Sequence, residues 1–492
     1  MAIMAMDTKA KTLFVLIAFN IISITSYAGD WEFKPAVNLI ETYSDNLELS
    51  SSNKTSGLVS QAGVDFSANY QAQNASLNLT SQSTYASYSN NHDLDNDFHT
   101  LEADSKLLLW PNGLTLTASA SIRNSSKNSA KNALADIVSA DTVRTENYRS
   151  GLEYQIKNRH HSLNTQLNYS TSKSADKIGE NEGVTFVLSS LNGSNAKNIF
   201  WENEGRFSKR KNNTRNSQQH RVEIKIGLIS HYKLAPFIRY YDEDNTGSVN
   251  KRQTSLNTNS YGLGLRWQPI SRLIIDASYN EPLDDALDTS NQNQESYLDI
   301  SIDWQPSSRT KIQGALSQRI YGDSYNLNIT HANRRLTNSI SYNEQIQSFN
   351  RDNFQTLTST FLCLNPNATS ISDCFVQSGD NFNPADTFVI STTELIPVED
   401  DDYWLNKTLR WSSTLTLPRT TFSLNINNSQ RENLNSNLKN ETRSLKLIAD
   451  RKLSPNSKVG LSASYNERNY DNDSDNEQRD QYRRYGITFN KK

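Results

Sequence analysis

The sequence predicts an all-β fold, a large single-chain antiparallel transmembrane β-barrel of about 22 strands, with twenty also compatible with the pattern. Three observations predict it. Segments of about 10–13 residues alternate apolar and polar side chains, the strand period. Connections between them switch regularly between short turns and long polar stretches, as in outer-membrane barrels. Finally, apolar content is only 35% although Tyr (22) and Phe (17) are plentiful.

Globular domains usually hold ~45–50% apolar residues. At 35% apolar and a mean hydropathy of -0.70, this chain is either disordered or built so that one face of every element meets water. Abundant aromatic residues and recurring β-branched runs oppose disorder. A net charge of -3 gives no basic balance, which argues against nucleic acid as a partner.

Residues 1–28 read as a secretory signal peptide. Lys9 and Lys11 precede an apolar run from Leu13 to Ile24, broken by Asn20 and Ser23, and Ser26-Tyr27-Ala28 fits a cleavage site. The run is too short for a membrane anchor, which needs ~20 apolar residues. Residues 29–492 are then the barrel, in the bacterial outer membrane.

The alternation is explicit in several places. Val222, Ile224, Ile226 and Leu228 alternate with Arg221, Glu223, Lys225 and Gly227; Leu298, Ile300, Ile302 and Trp304 alternate with Tyr297, Asp299, Ser301 and Asp303. Strands are expected near 32–43, 58–69, 75–88, 99–110, 114–123, 146–157, 161–172, 182–190, 198–208, 219–230, 234–242, 257–267, 271–280, 295–305, 309–320, 323–331, 335–346, 403–416, 419–429, 440–452, 456–468 and 477–489. The ambiguous stretch is 173–200. Short turns such as Trp110-Pro111-Asn112-Gly113, Leu417-Pro418-Arg419 and Ser454-Pro455-Asn456 alternate with polar segments 44–57, 124–145, 242–256, 281–295 and 349–402. An even strand count puts both termini on the short-turn, periplasmic side and makes 349–402 a long extracellular loop. That loop is large enough to fold inward as a constriction.

Trp110, Trp267 and Trp304 end strands beside short turns, where an interfacial aromatic girdle belongs. Acidic clusters, among them Asp93/Asp95/Asp97, Asp242/Glu243/Asp244, Asp284/Asp285/Asp288 and Asp400/Asp401/Asp402, are assigned to the long loops. Two cysteines, Cys363 and Cys374, would form a disulfide in an oxidising compartment, worth roughly 2–3 kcal/mol.

With the apolar face toward lipid, the lumen is lined by Arg221, Glu223, Lys225, Gly264, Arg266, Asp299, Asp303, Lys311, Arg319, Lys446 and Lys458. Such mixed charge gives no strong ion selection and suits polar, hydroxyl-rich solutes. None of the seven histidines lies in a Gly-x-Ser-x-Gly or His-Glu-x-x-His context, so no enzyme is expected. A serine and histidine facing the same way on adjacent strands near the outer leaflet would reopen that question. Asp471, Asp473, Asp475 and Glu477 have spacing that suits a hard cation. Asn476 stands where a calcium loop needs glycine, so a solvated acidic hairpin tip is the preferred reading. A loop-bound divalent cation is the alternative, and bridging of lipopolysaccharide phosphates a third. No other cofactor is expected.

The stretch Tyr261-Gly262-Leu263-Gly264-Leu265-Arg266-Trp267-Gln268-Pro269 is followed by Trp304-Gln305-Pro306-Ser307-Ser308-Arg309-Thr310, Arg319-Ile320-Tyr321-Gly322-Asp323-Ser324-Tyr325, His331 with Arg334-Arg335, and Ser341-Tyr342-Asn343-Glu344. Together with Glu41-Thr42-Tyr43-Ser44-Asp45-Asn46, this resembles the outer-membrane β-barrel family associated with PEP-CTERM/exosortase systems, found near exopolysaccharide loci. The resemblance is specific over roughly 260–345 and loose elsewhere. It implies an outer-membrane location and a genomic neighbourhood that links the chain to exopolysaccharide and its export proteins. Outer-membrane lipid, lipopolysaccharide and the barrel-assembly machinery are the partners expected of any such barrel. One departure is the C-terminus, where Phe489 is followed by Asn490-Lys491-Lys492 instead of ending the chain. Two roles remain open: a channel or secretion-associated, porin-like pore, or an anchoring barrel whose loops hold polysaccharide or surface proteins without conducting.

Overall fold

The computed structural model describes residues 29–491 except 48, 50–53, 91, 112, 129–136, 231–232, 249–255, 284–294, 350–353, 364–373, 377–387, 398–401, 435–437, 456 and 471–477. Within 354–397, and at 93, 256, 478, 490 and 491, only the backbone is described. The signal segment 1–28, most of Asp284/Asp285/Asp288 and Asp400/Asp401/Asp402, and the quartet Asp471, Asp473, Asp475 and Glu477 lie outside the described residues.

Twenty-two antiparallel strands form one sheet, from Asp30–Ser44 to Gln478–Lys491, each paired with its sequence neighbour. Every expected strand has a counterpart. The ambiguous region 173–200 contributes one strand interior, Asn181–Asn192, which gives twenty-two and not twenty. Among the described residues no ladder joins the first strand to the last.

Period-2 alternation makes this sheet two-faced. Ile238, Leu263, Tyr279 and Leu298 are successive cross-strand partners, and they are 58%, 72%, 58% and 57% exposed. A row of bare apolar side chains across four strands demands a non-aqueous covering. On the opposite face the same strands carry Arg239, Gly262, Asn280 and Tyr297, again in register.

Strands run longer than expected, mostly at the long-loop end. Leu234–Thr246 and Thr142–Lys157 reach four residues past the predicted limits of 242 and 146. At ~3.4 Å per residue and a tilt of ~40°, fifteen residues rise about 39 Å, beyond an apolar band of about 25 Å. The upper strand ends therefore stand clear of that band, where the apolar signal fades. Two assignments are corrected as a result: Asp242, Glu243 and Asp244 belong to a strand and not to a loop, with Glu243 almost fully buried, and Asp97 belongs to the strand Asn96–Trp110.

A small apolar cluster stabilises the long-loop end. Leu47, Val59, Ala86, Tyr88 and Phe98 pack together, with Ile137 and Val138 against them, and the Tyr88 hydroxyl donates to the Ile137 carbonyl. Asp95 accepts the Tyr88 backbone N–H at 2.8 Å, which holds its carboxyl below the ordinary range.

The segment 349–402 is also corrected. It contains a separate three-stranded sheet, Phe354–Cys363, Cys374–Val376 and Phe388–Pro397. Cys363 and Cys374 are direct cross-strand partners there, though their side chains are outside the described residues. Antiparallel partners lie within the Cα range that a disulfide spans. Thiol reagents are expected to label protein isolated from an oxidising compartment only after reduction; labelling of the untreated protein would mean that the pair is not bonded.

Candidate functional site: a charge network on the polar face

The strands between Ile199 and Arg319 build a dense ionic network on the polar face. Arg221, Lys225, Arg239, Arg266 and Arg319 meet Glu202, Glu223, Glu243, Asp276 and Asp299, so the two signs balance. Arg239 is at its centre, with its side chain 1% exposed. Its Nε donates to Glu223 at 2.9 Å, Nη2 lies 3.2 Å from Asp299, and Nη1 donates to Asn280 at 3.2 Å and Tyr297 at 3.1 Å. Arg266 grips Asp276 through Nε and Nη2, both at 2.7 Å, and reaches Glu202 at 2.7 Å. The planar guanidinium fork matches a carboxylate in this way, and an ammonium could not replace it.

Aromatic rings complete the wall. Arg266 stacks 4.0 Å from the Phe200 ring centroid and Arg239 lies 5.0 Å from that of Tyr241. Phe237 is buried on this polar face because Gly227 and Gly264 leave it room. A Cβ on Gly264 would sit 2.3 Å from the Phe237 ring.

The network shows how strongly the sheet bends. Arg319 and Glu243 belong to strands with three others between them, a path of ~19 Å in a flat sheet. Yet Arg319 Nε donates to Glu243 at 3.0 Å. Only a tight curl over the polar face brings the two together. Farther out, the Tyr403 hydroxyl donates to the Thr246 carbonyl at 2.8 Å and lies 3.0 Å from the Ser217 hydroxyl, which is itself 3.1 Å from Ser348. Ser217 and Tyr403 are separated by eight steps along the sheet, so two walls meet at the long-loop end. Tyr403 is fully buried there with Ile320 and Ile346. Burial pushes its phenol up to about 12, so it remains a neutral donor at ordinary pH.

Register places all ten charged residues chosen from sequence on this polar face. Arg221, Glu223, Lys225, Arg266, Asp299 and Arg319 join the network. Asp303 and Lys311 pair at 3.7 Å at a half-exposed position, and Lys458 pairs with Asp450 at 3.0 Å. Lys446, opposite Asn425 and Ser464, is outside the cluster. The sequence reading missed Arg239, Asp276, Glu202 and Glu243. A lone charge in an otherwise apolar strand, as in Leu273-Ile274-Ile275-Asp276-Ala277, was the available signal. Trp110, Trp267 and Trp304 lie at short-turn strand ends and are exposed on the apolar face, with Trp31 at the same end.

Ser83 and His99 are cross-strand partners, with Oγ 3.1 Å from Nδ1, on the apolar face. Among the described residues His99 Nε2 has no partner to orient the imidazole, so the third member a nucleophilic triad requires is not in place. No cluster of three or more metal-ligating side chains occurs among the described residues.

No family model matches the chain, and no curated protein is similar to it. Solved structures of similar chain path include the siderophore receptor PirA from Acinetobacter baumannii (9% identity, 94% of this chain, 74% of that one, TM-score 0.39). The FrpB iron transporter from Neisseria meningitidis is similar at 10% identity, over 94% of this chain and 75% of that one, with TM-score 0.39. The copper transporter OprC is similar at 6% identity over 90% and 74%, with TM-score 0.36.

Proposed function

We propose that this chain is a bacterial outer-membrane β-barrel that forms a channel or secretion-associated passage for polar solutes. The observation that carries the reading is the two-faced sheet: a continuous exposed apolar row on one side, and paired charges with Ser, Asn and Tyr on the other. Only a lipid environment outside and a polar lumen inside satisfy both faces. The ten-residue network of balanced charge favours neither ion sign along its stretch of wall and suits hydroxyl-rich molecules. The resemblance over 260–345 supports exopolysaccharide as the class of solute, within a PEP-CTERM-type system.

The contact of Tyr403 with Ser217 and Thr246 favours a second reading, an occluded barrel that anchors surface material by its loops. Single-channel recording of the folded protein in a planar bilayer separates the two. A pore is expected to show steady openings, and Tyr403→Ala is expected to raise conductance by removing the contact between walls. Silence from folded wild type and variant alike would abandon the channel for the anchor.

A further inference from the structure

The ten connections at the barrel end opposite the long loops hold eight Lys or Arg and no Asp or Glu. Arg159, Lys197, Lys233, Arg272 and Arg419 are spread singly along this rim, all exposed. The remaining three converge. Arg309, Arg334 and Arg335 surround an open depression of about 520 Å³ whose other lining residues are Asn333, Leu336 and Leu415.

The floor of that depression belongs to the apolar face. Leu336 and Leu415 are direct cross-strand partners, and the same register continues through Ile340 and Trp411, which is exposed on that face. Thr310 and His331, hydrogen-bonded at 2.8 Å, share the face one strand away. The site thus combines an apolar floor, open toward the lipid, with three guanidinium groups at its edge. Arg309, Arg334 and Arg335 are exposed and make no ion pair among the described residues.

We infer that this depression binds an anionic glycerophospholipid, its phosphate among the three arginines and its acyl chain over Leu336 and Leu415. Guanidinium groups recognise phosphate bidentately. Outer-membrane barrels carry their short turns on the periplasmic side and their long loops outside, so this end faces the periplasmic leaflet, where the available phosphate is phospholipid. A soluble polyanion would gain nothing from the apolar floor. The ring of single cations along the rim would add a general attraction for the same leaflet, decaying within a Debye length.

This inference rests on the membrane reading but not on conduction. The test is native mass spectrometry of the full-length folded barrel, titrated in neutral detergent with phosphatidylglycerol or phosphatidylcholine. Phosphatidylglycerol is expected to be retained at least ten-fold more tightly at low salt, each nearby cation contributing a factor of about five. R309Q/R334Q/R335Q is expected to abolish that preference, and R309K/R334K/R335K to keep most of it because charge is retained. Equal retention of both lipids overturns the inference, as does a preference that survives in the glutamine variant. Tighter capture of polyuronate or polyglutamate than of phosphatidylglycerol overturns it too and reassigns the rim to a soluble polyanion. A barrel that is silent in the bilayer yet selects phosphatidylglycerol refutes the channel alone. A conducting barrel indifferent to lipid charge refutes this site alone.

Discussion

Arg239→Ala is expected to lower the unfolding free energy by about 3–5 kcal/mol, the cost of leaving buried charges without their partner. The side chain stands between Glu223 and Asp299, and Asn280 and Tyr297 take its remaining donors. Removing it leaves Asp299 without a cation among the described residues, and Glu223 with only the longer contacts to Lys225 at 3.5 Å and Arg221 at 3.7 Å. On a wall that water reaches poorly, this makes the loss larger than the worth of any single bond. Lys311→Ala provides the comparison. Its pair with Asp303 spans 3.7 Å with both side chains about half exposed, so the loss should stay within about 1 kcal/mol. Guanidinium titration of both variants in the same micelles measures the difference. If Arg239→Ala costs no more than Lys311→Ala, the network is hydrated and does not hold the wall together. Adding Asp299→Asn to Arg239→Met should recover part of the stability, because Asp299 is then no longer a buried charge without a partner, while Glu223 keeps Lys225 and Arg221.

That network also marks the limit of what could be read from sequence. Strand number and face were legible because period 2 is a local property: Val222 to Leu228 alternate whatever the rest of the chain does. The strand ends were not. Past the apolar band both faces are polar, and Asp242 to Thr246 then look like a loop. Arg239 was hidden by its surroundings, since Phe237 and Tyr241 on the polar face and Ile238 and Tyr240 on the other leave no contrast between faces. Its partners come from strands up to three steps away, and the contact of Arg319 with Glu243 depends on sheet curvature, which no local pattern encodes. The small sheet within 349–402 was missed for a related reason. Phe354, Leu357, Phe361 and Leu362 keep no strict alternation, so nothing separated them from a polar loop. Trp267 and Trp304 were legible because a turn residue follows each of them closely.

The apolar row gives the second large effect. Leu263→Arg is expected to destabilise the folded barrel by about 2–4 kcal/mol in a bilayer, the cost of a cation at mid-depth on the lipid face. Leu263 lies midway along Leu256–Ile270, between Ile238 and Tyr279 and 72% exposed. Ile270→Arg, on the same strand at the short-turn rim, should cost about 0–1 kcal/mol, because the side chain reaches the headgroups there. Gly264→Ala makes the contrast across the sheet. It adds no charge, but its Cβ would meet the Phe237 ring at 2.3 Å, and overpacking of this kind costs typically 1–3 kcal/mol in any solvent. The three variants respond differently to their surroundings. In liposomes Leu263→Arg should be the worst of them, whereas in a detergent that lets water approach the surface its cost should shrink and that of Gly264→Ala should not. Equal costs for Leu263→Arg and Ile270→Arg would mean that the row is not buried at depth in lipid. The exposed apolar side chains would then have to be covered by protein instead.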